Sequence, residues 1–205
     1  MSREVDEAVA ALRRGELAIL PTDTVYGLAA DGTSEAAATA LYAAKGRESI
    51  RPTALVFGSI EVLLDAVPGL SAEARRIVEA LLPGPVTLVL SNPERRFPWL
   101  NPGRTDAIGV RVPALTGAAR DVLDAVGVLV ATSANLPGGP DPRRLAEVPR
   151  ELHAAAAAVV DGGVLPGAPS TVIDVTGDEL EVLREGALPA AETLARIRAA
   201  GLTDR

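Results

Sequence analysis

The chain has 205 residues, of which 48% are hydrophobic, enough apolar material for one sizeable core and a single domain over residues 1–205. It contains no cysteine and one histidine, His153, which argues against a disulfide framework, thiolate chemistry and an intrinsic zinc site. The net charge of −7 argues against a protein built mainly to bind a phosphate backbone. The longest apolar stretch, 154–160, is too short to span a bilayer, so we expect a cytoplasmic protein.

Apolar residues alternate between helical spacing and short buried runs along the chain. Positions from Val5 to Leu12 recur at helical spacing and predict a helix from Ser2 to Arg14, and the run LAIL at Leu17–Leu20 predicts a strand. Further helices are predicted at residues 34–45, 60–66, 71–82, 117–125, 149–157 and 192–200. Further strands are predicted at residues 54–57, 86–90, 108–112, 128–131, 171–175 and 180–183.

This alternation favours an α/β fold, a single domain in which helices cover both faces of a twisted, mostly parallel or mixed sheet. Because a short link at residues 176–178 joins the last two predicted strands, we expect them to form an antiparallel hairpin. Two connections, at residues 91–107 and 132–144, are long and rich in proline, glycine and arginine. Such loops inside a compact domain are typically functional.

Short polar clusters lie at the ends of the predicted strands, which is where open α/β sheets bind ligands. The nucleotide and hydrolase signatures GxGxxG, GxxxxGK[ST] and GxSxG are missing from the chain. His153 lies in an alanine-rich predicted helix and is interpreted as a surface or packing residue. The clusters are PTDTVYG at 21–27, KGR at 45–47, VRVP at 110–113, TSAN at 132–135, PST at 169–171 and LREG at 183–186.

Arg111 is the most informative of these polar residues. It points away from the apolar face of the predicted strand 108–112, inside a segment expected to be buried on both faces. A cation in such a place is expected to meet either a bound anion or an acidic side chain of the same protein.

The other candidate residues have an ordinary structural interpretation beside a functional one. Lys45, the only lysine of the chain, and Arg47 flank Gly46, where a predicted helix ends and the helix dipole favours cations. Ligand contact and ordinary turns or solvated strand ends both remain open for Ser133, Asn135, Ser170 and Arg184. A pocket with several cations and hydroxyls but no acid–base dyad favours phosphoryl or nucleotidyl transfer over hydrolysis by a side-chain nucleophile.

In their order along the chain, these clusters resemble the YrdC-like family of L-threonylcarbamoyladenylate synthases, in its single-domain form. The resemblance covers a motif-bearing core of about residues 10–190. The motifs that carry it are PTDTVYGL at 21–28, KGR at 45–47, PGPVT at 83–87, GVRVP at 109–113, SAN at 133–135, STV at 170–172 and LREG at 183–186.

The resemblance implies a YrdC-like fold around a concave pocket and a nucleotidyltransferase. Its reaction joins L-threonine, bicarbonate and ATP into threonylcarbamoyl-AMP and pyrophosphate, the first step of threonylcarbamoyladenosine modification of tRNA. Magnesium is expected to accompany ATP, held chiefly by phosphates rather than by protein ligands. The implied partners are the three substrates and tRNA-modification proteins, with weak or no direct binding of nucleic acid and no membrane.

The family motifs also imply roles for particular residues. Lys45 and Arg47 are the implied catalytic residues, with Lys45 neutralising phosphate charge. The implied threonine ligands are Thr24, Arg111, Ser133 and Ser170, with the Arg111 fork as the partner of the carboxylate. The implied ATP ligands are Lys45, Arg47, Asn135 and Arg184.

The chain departs from the family pattern in three places, namely Arg51, Val56 in place of a common histidine, and the loop at 137–143. The altered loop motivates an alternative, a paralogue that adenylates another carbamate or carbamoyl substrate. Arginine pairs at 95–96 and 143–144 motivate a different class, a non-catalytic RNA-binding module, against which the net acidity and the scarcity of aromatic residues argue.

Overall fold

The computed structural model describes residues 2–46 and 52–201, and within these ranges the chain forms seven α-helices and a nine-stranded sheet. The helices are α1 Arg3–Arg13, α2 Glu35–Ala44, α3 Ile60–Ala66, α4 Ala72–Leu81, α5 Gly117–Val126, α6 Arg150–Ala155 and α7 Ala190–Ala199. The strands are β1 Leu17–Pro21, β2 Tyr26–Asp31, β3 Ala54–Phe57, β4 Val86–Ser91, β5 Ala107–Arg111, β6 Val128–Ser133, β7 Ala156–Val159, β8 Thr171–Asp174 and β9 Glu181–Arg184. Two short 3-10 helices lie at Pro98–Leu100 and Leu145–Glu147.

The sheet is mixed, and its strands follow the order β7-β1-β2-β6-β3-β5-β4-β8-β9. Three neighbouring pairs are parallel, namely β1 with β7, β3 with β5 and β4 with β8, and the other neighbours are antiparallel. The last two strands form the expected antiparallel hairpin, in which Val172 lies opposite Arg184. The predicted α/β class with a mixed sheet is therefore confirmed.

Serine caps begin four of the helices, which explains why the chain enters helix at those points. The side chains of Ser2, Ser34, Ser59 and Ser71 each accept a hydrogen bond from the backbone N–H three residues later. Each cap satisfies one of the amide donors that a helix leaves unpaired at its start. Within the described part of the chain, no helix has the length and apolar character needed to cross a membrane.

The two faces of the sheet are covered differently, and this difference creates the site. One face buries residues such as Leu28, Leu55 and Val110 under helices α2, α3, α4 and α7 in the larger hydrophobic core. On the other face, α1 and α5 pack over the half of the sheet that holds β1, β2 and β6, burying residues such as Leu12 and Leu123. The part of this face that these helices leave uncovered, which includes Gly27 of β2 and Ala131 of β6, forms the floor of a concavity.

Two strands differ from the sequence expectation. Strand β2 occupies Tyr26–Asp31, for which the sequence pattern predicts no strand because its glycine and alanines lack the branched residues typical of strands. Strand β7 begins at Ala156, inside the predicted helix 149–157. Alanine has the highest intrinsic helix propensity, but pairing of Ala156 and Ala158 with β1 outweighs that preference, so α6 ends at Ala155.

Candidate functional site

A cavity of about 590 Å³ lies on the open half of the sheet. Its floor is made of small residues, including Gly27, Ala54, Gly109 and Ala131, on four neighbouring strands. A Cβ at Gly109 would lie 3.3 Å from the Cα of Ala54, so even an alanine at this position would crowd the neighbouring strand. Five of the residues predicted from sequence line the cavity: Thr24, Arg111, Ser133, Ser170 and Arg184.

Arg111 pairs with an acidic residue of the same chain. Its Nη2 donates hydrogen bonds to Oδ1 of Asp23 and, over 2.9 Å, to Oγ1 of Thr24. The second oxygen of Asp23 accepts from the backbone N–H of Ala114 at 3.1 Å, which anchors the carboxylate. Asp23 lies inside the PTDTVYG cluster but was not singled out from sequence, because nothing local indicates that it faces a residue 88 positions away.

The Arg111 guanidinium nevertheless has an N–H donor that makes no hydrogen bond with the described residues. The side chain is only 12% exposed, and among the described residues its Nε is buried without a hydrogen-bond partner. Burial lowers the pKa of Arg111, the nearby Arg184 lowers it further, and Asp23 acts in the opposite direction. An arginine remains charged under these conditions, so the cavity wall contains a buried cation with unused hydrogen-bonding capacity.

A chain of hydroxyl contacts orients Thr24 toward Arg111. The hydroxyl of Thr22 donates to the carbonyl of Val25 at 2.7 Å, and its oxygen lies 2.9 Å from that of Thr24. Since the Thr22 proton is used on Val25, the Thr24 hydroxyl donates to Thr22 and accepts from Arg111. Thr24 therefore holds the guanidinium in place from a buried position in the wall.

Ser170 and Arg184 form a second polar group on the wall. Arg184 donates to the carbonyl of Ser170 from Nε at 3.1 Å and from Nη2 at 2.8 Å, and Nη2 also reaches the hydroxyl at 3.2 Å. The Ser170 hydroxyl lies 2.8 Å from that of Thr87, a cavity residue within the PGPVT motif that sequence reasoning did not select. The wall thus combines two arginines and several hydroxyls, a set suited to an anionic ligand.

Lys45 and Asn135 lie behind the wall rather than on it. Lys45 is the C-cap residue of α2 and only 1% exposed, and its ammonium donates to the carbonyls of Ser133, at 2.7 Å, and Asn135. It also donates to Oδ1 of Asn135 at 2.9 Å. The helix-end position expected for Lys45 is present, together with contacts to the SAN motif that the sequence did not predict. Arg47 and Arg51 lie outside the described residues.

Tyr26 ties the segment before Ser170 to the sheet. Its hydroxyl donates to Oδ1 of Asp161 at 2.8 Å and accepts from the backbone N–H of Gly162 at 2.9 Å. Burial is the main cause that raises the pKa of Tyr26 to about 12, so the phenol stays protonated. The backbone N–H of Gly167 also donates to the Thr24 carbonyl at 2.8 Å, which joins this segment to the Thr22–Thr24 turn.

A third cation, Arg104, lines another part of the cavity and was not selected from sequence. Its Nη1 donates to Oδ2 of Asp174 at 2.7 Å, and its Nη2 donates to the hydroxyl of Thr176. The other oxygen of Asp174 accepts from the backbone N–H of Thr176 at 2.8 Å. Burial raises the pKa of Asp174, but the hydrogen bonds from Thr176 and Arg104 outweigh burial and leave it below its ordinary value.

Because the pKa of Asp174 is lower in the folded than in the unfolded protein, its carboxylate stabilises the fold at neutral pH. That stabilisation is complete above the ordinary aspartate pKa of about 4 and is lost as pH falls through the folded value. We expect Asp174→Asn to unfold at lower denaturant concentration than the wild type at pH 7, with a difference that shrinks below about pH 4. Urea unfolding at pH 7, 5, 4 and 3 measures it. A gap of equal size at pH 7 and pH 3 would contradict this role.

Comparison with known proteins shows which proteins this chain is similar to. The family model described as "Telomere recombination", for Sua5, YciO and YrdC proteins, matches residues 10–186. The threonylcarbamoyl-AMP synthase of Pyrococcus abyssi is 35% identical over 182 residues, which cover 88% of this chain and 53% of that protein.

Two solved structures share the fold over most of this chain. P. abyssi Sua5 complexed with L-threonine has a TM-score of 0.84 and 32% identity, covering 96% of this chain and 56% of that chain. E. coli YciO has a TM-score of 0.81 and 25% identity, covering 93% of this chain and 92% of that chain. The chain therefore spans about half the length of the P. abyssi protein and most of the length of YciO.

Proposed function

The chain belongs to the Sua5/YciO/YrdC family, and from this premise we propose that it joins L-threonine, bicarbonate and ATP into threonylcarbamoyl-AMP with release of pyrophosphate. The observation that carries the proposal is the buried Arg111 guanidinium, whose Nε has no partner among the described residues, in a cavity lined by hydroxyls. The name of the P. abyssi relative and the threonine complex of its structure support the same substrate.

Threonine is proposed to bind with its carboxylate against Arg111. The Nη2 donors are already used by Asp23 and Thr24, and Nε is buried, so the carboxylate is proposed to contact Nη1, which makes no hydrogen bond with the described residues. Thr24 fixes that guanidinium, and Ser133 and Ser170 supply hydroxyls on the same cavity wall. This arrangement leaves the lone pair of the threonine amine available to form the C–N bond of the carbamate with bicarbonate, with loss of water.

The carbamate oxygen is proposed to attack the α-phosphorus of ATP. A new O–P bond forms, the bond between the α-phosphorus and the bridging oxygen breaks, and pyrophosphate leaves with that oxygen and its electron pair. Charge accumulates on phosphate oxygens in this step, so cations on the wall stabilise the transition state more than a proton-transfer residue would. Arg184 fits this role within the described wall, and Arg47 and Asn135 are the further proposed ATP ligands.

Magnesium would be brought in by the nucleotide. Over residues 2–46 and 52–201, His, Cys, Asp and Glu side chains form no group of three that could hold a metal ion. We propose that the magnesium ion is coordinated chiefly by phosphate oxygens and water. When bound, magnesium supplies neutralisation of the triphosphate charge.

The product is proposed to enter tRNA modification. An acyl phosphate of AMP is an activated carbamoyl donor, so a transferase that moves the threonylcarbamoyl group to a tRNA adenosine must consume it. We therefore propose tRNA-modification proteins as partners and the cytoplasm as the location, with residues 1–205 acting as one domain.

The proposal is tested by measuring pyrophosphate release with ATP, magnesium and bicarbonate, with and without L-threonine. We expect release to require threonine and the product to have the mass of threonylcarbamoyl-AMP. A panel containing serine, valine and carbamoyl phosphate covers the alternative substrates that the altered loop at 137–143 motivates. Equal release without threonine would rule out the proposed specificity, and tight tRNA binding without ATP turnover would favour an RNA-binding module.

A further inference from the structure

The Lys45 ammonium is fully engaged within the protein. A lysine ammonium has three N–H donors and no acceptor. Among the described residues, its hydrogen-bond acceptors include three oxygens of one short segment: the carbonyls of Ser133 and Asn135 and the side-chain oxygen of Asn135. Because the group is buried, moving it toward a phosphate would leave these oxygens without their donor, at a substantial free-energy cost.

The contacts of the Asn135 side chain show that the hydrogen bond from Lys45 orients the Asn135 amide. Its Oδ1 accepts from Lys45 at 2.9 Å and from the Ser133 hydroxyl at 2.8 Å. Its Nδ2 donates to the carbonyl of Gly139 at 2.7 Å and to Oδ1 of Asp141 at 3.2 Å. Since a lysine can only donate, Lys45 determines which end of the amide faces it and so sets the orientation of the whole side chain.

The orientation of the Asn135 amide in turn determines whether the Ser133 hydroxyl can donate or accept a hydrogen bond toward the cavity. The Ser133 proton is used on Asn135 Oδ1, so the oxygen has only lone pairs left to offer to the cavity that Ser133 lines. A ligand group that contacts Ser133 must therefore donate a hydrogen bond. In threonine, the amine and the side-chain hydroxyl can donate, and the carboxylate cannot; of these, the amine is the group that the reaction converts to the carbamate.

We propose that Lys45 is a positioning residue that acts through Asn135 and makes the Ser133 hydroxyl a hydrogen-bond acceptor for the amine of the amino-acid substrate. The role in substrate binding rests on the proposed function, whereas the ordering of the segment from Ser133 to Asp141 does not. This assignment differs from the direct phosphate contact that the family resemblance implies for Lys45. The two roles make opposite predictions for protein without nucleotide.

The first test is hydrogen exchange in the unliganded protein. Lys45→Met is expected to raise amide exchange in residues 133–141 by about tenfold, since loss of the ammonium frees Asn135 and its contacts. The control is Ser34→Ala, which removes the cap at the opposite end of the same helix α2 and is expected to leave exchange in this segment unchanged. If Lys45→Met does not fold, Lys45→Arg, which keeps the charge but not the compact ammonium, carries the same test. Unchanged exchange in the folded variant would overturn the positioning role whether or not the chain is a synthase.

The second test is L-threonine binding by calorimetry without ATP. We expect Lys45→Met and Ser133→Ala each to weaken binding by about tenfold, and the double variant to be little weaker than Ser133→Ala alone, because both act on one hydrogen bond. A Lys45→Met variant that has normal threonine affinity, and reduced ATP affinity in a separate titration with ATP, would show the direct phosphate role instead. Failure of the wild type to bind threonine would remove the proposed function and the substrate part of this inference, leaving the exchange result to decide the rest.

Discussion

Arg111→Ala is expected to lower kcat/KM for threonine by roughly 30- to 4,000-fold. The substitution removes the cation proposed to bind the substrate carboxylate and leaves Asp23, whose side chain is 10% exposed, without its ion-pair partner. Removing one partner of a buried charge pair costs about 2–5 kcal/mol, which corresponds to this range of rate or affinity. Threonine-dependent pyrophosphate release measures the effect.

Two further variants separate the effect of the Arg111 charge from that of its planar geometry, and both from the effect of removing any arginine. Arg111→Lys keeps the charge but not the planar fork, so we expect partial recovery of threonine binding at most. Arg120→Ala removes an arginine that is 39% exposed and pairs with Asp124 on the surface of α5, and it should behave as the wild type. Circular dichroism and urea unfolding verify that Arg111→Ala is folded. Near wild-type turnover in folded Arg111→Ala would exclude Arg111 as the carboxylate ligand.

Gly186→Ala is expected to disrupt the Ser170 side of the cavity. A Cβ at Gly186 would lie 2.2 Å from the carbonyl oxygen of Pro169 and 2.6 Å from the carbonyl carbon of Ser170, so the backbone itself must move. Overpacking of this kind costs about 1–3 kcal/mol of stability. Displacement of Ser170 by about 1 Å is expected to lower turnover on the order of 100-fold. Urea unfolding and threonine-dependent pyrophosphate release measure the two effects.

Gly177→Ala is the matched control, since Gly177 lies in the connection that precedes β9 and Gly186 lies just after the same strand. Its Cβ would meet the carbonyl oxygen of Glu179 at 3.6 Å, an ordinary contact. We expect this variant to keep both stability and activity. If Gly186→Ala matched Gly177→Ala in both measurements, the close approach of the backbone at Gly186 to that at Pro169 and Ser170 would not be needed for stability or activity.

Local sequence signals were sufficient for most of the helices and for the chemical character of the site. Serine caps and apolar spacing depend on neighbours within one or two turns, so the helix starting at Ser2 could be predicted without tertiary information. Five predicted site residues line the cavity because polar side chains at strand ends reach the rim of the sheet whatever the strand order is. Their roles in binding stay predictions.

Partners of these residues could not be read from the sequence. Asp23 pairs with Arg111 across 88 positions, and Lys45 contacts Asn135 across 90, so both contacts depend on which strands and loops become neighbours. Arg104 has no motif around it, and it reaches the cavity because the loop before β5 passes near β8. Long-range hydrogen bonds of this kind leave no periodic signal in the chain.

By itself, the sequence determined the α/β class, the helices and the polar residues available to the site, since these follow from short-range periodicity, caps and residue chemistry. The tertiary structure decided that Ala156–Val159 forms a strand, since pairing with β1 supplies hydrogen bonds that outweigh the helix preference of alanine. It also decided that Arg111 faces the cavity and that Lys45 supports the wall from behind. For these two residues the physical reason is the same, because a charged side chain binds whichever partner the packed fold places within hydrogen-bond distance.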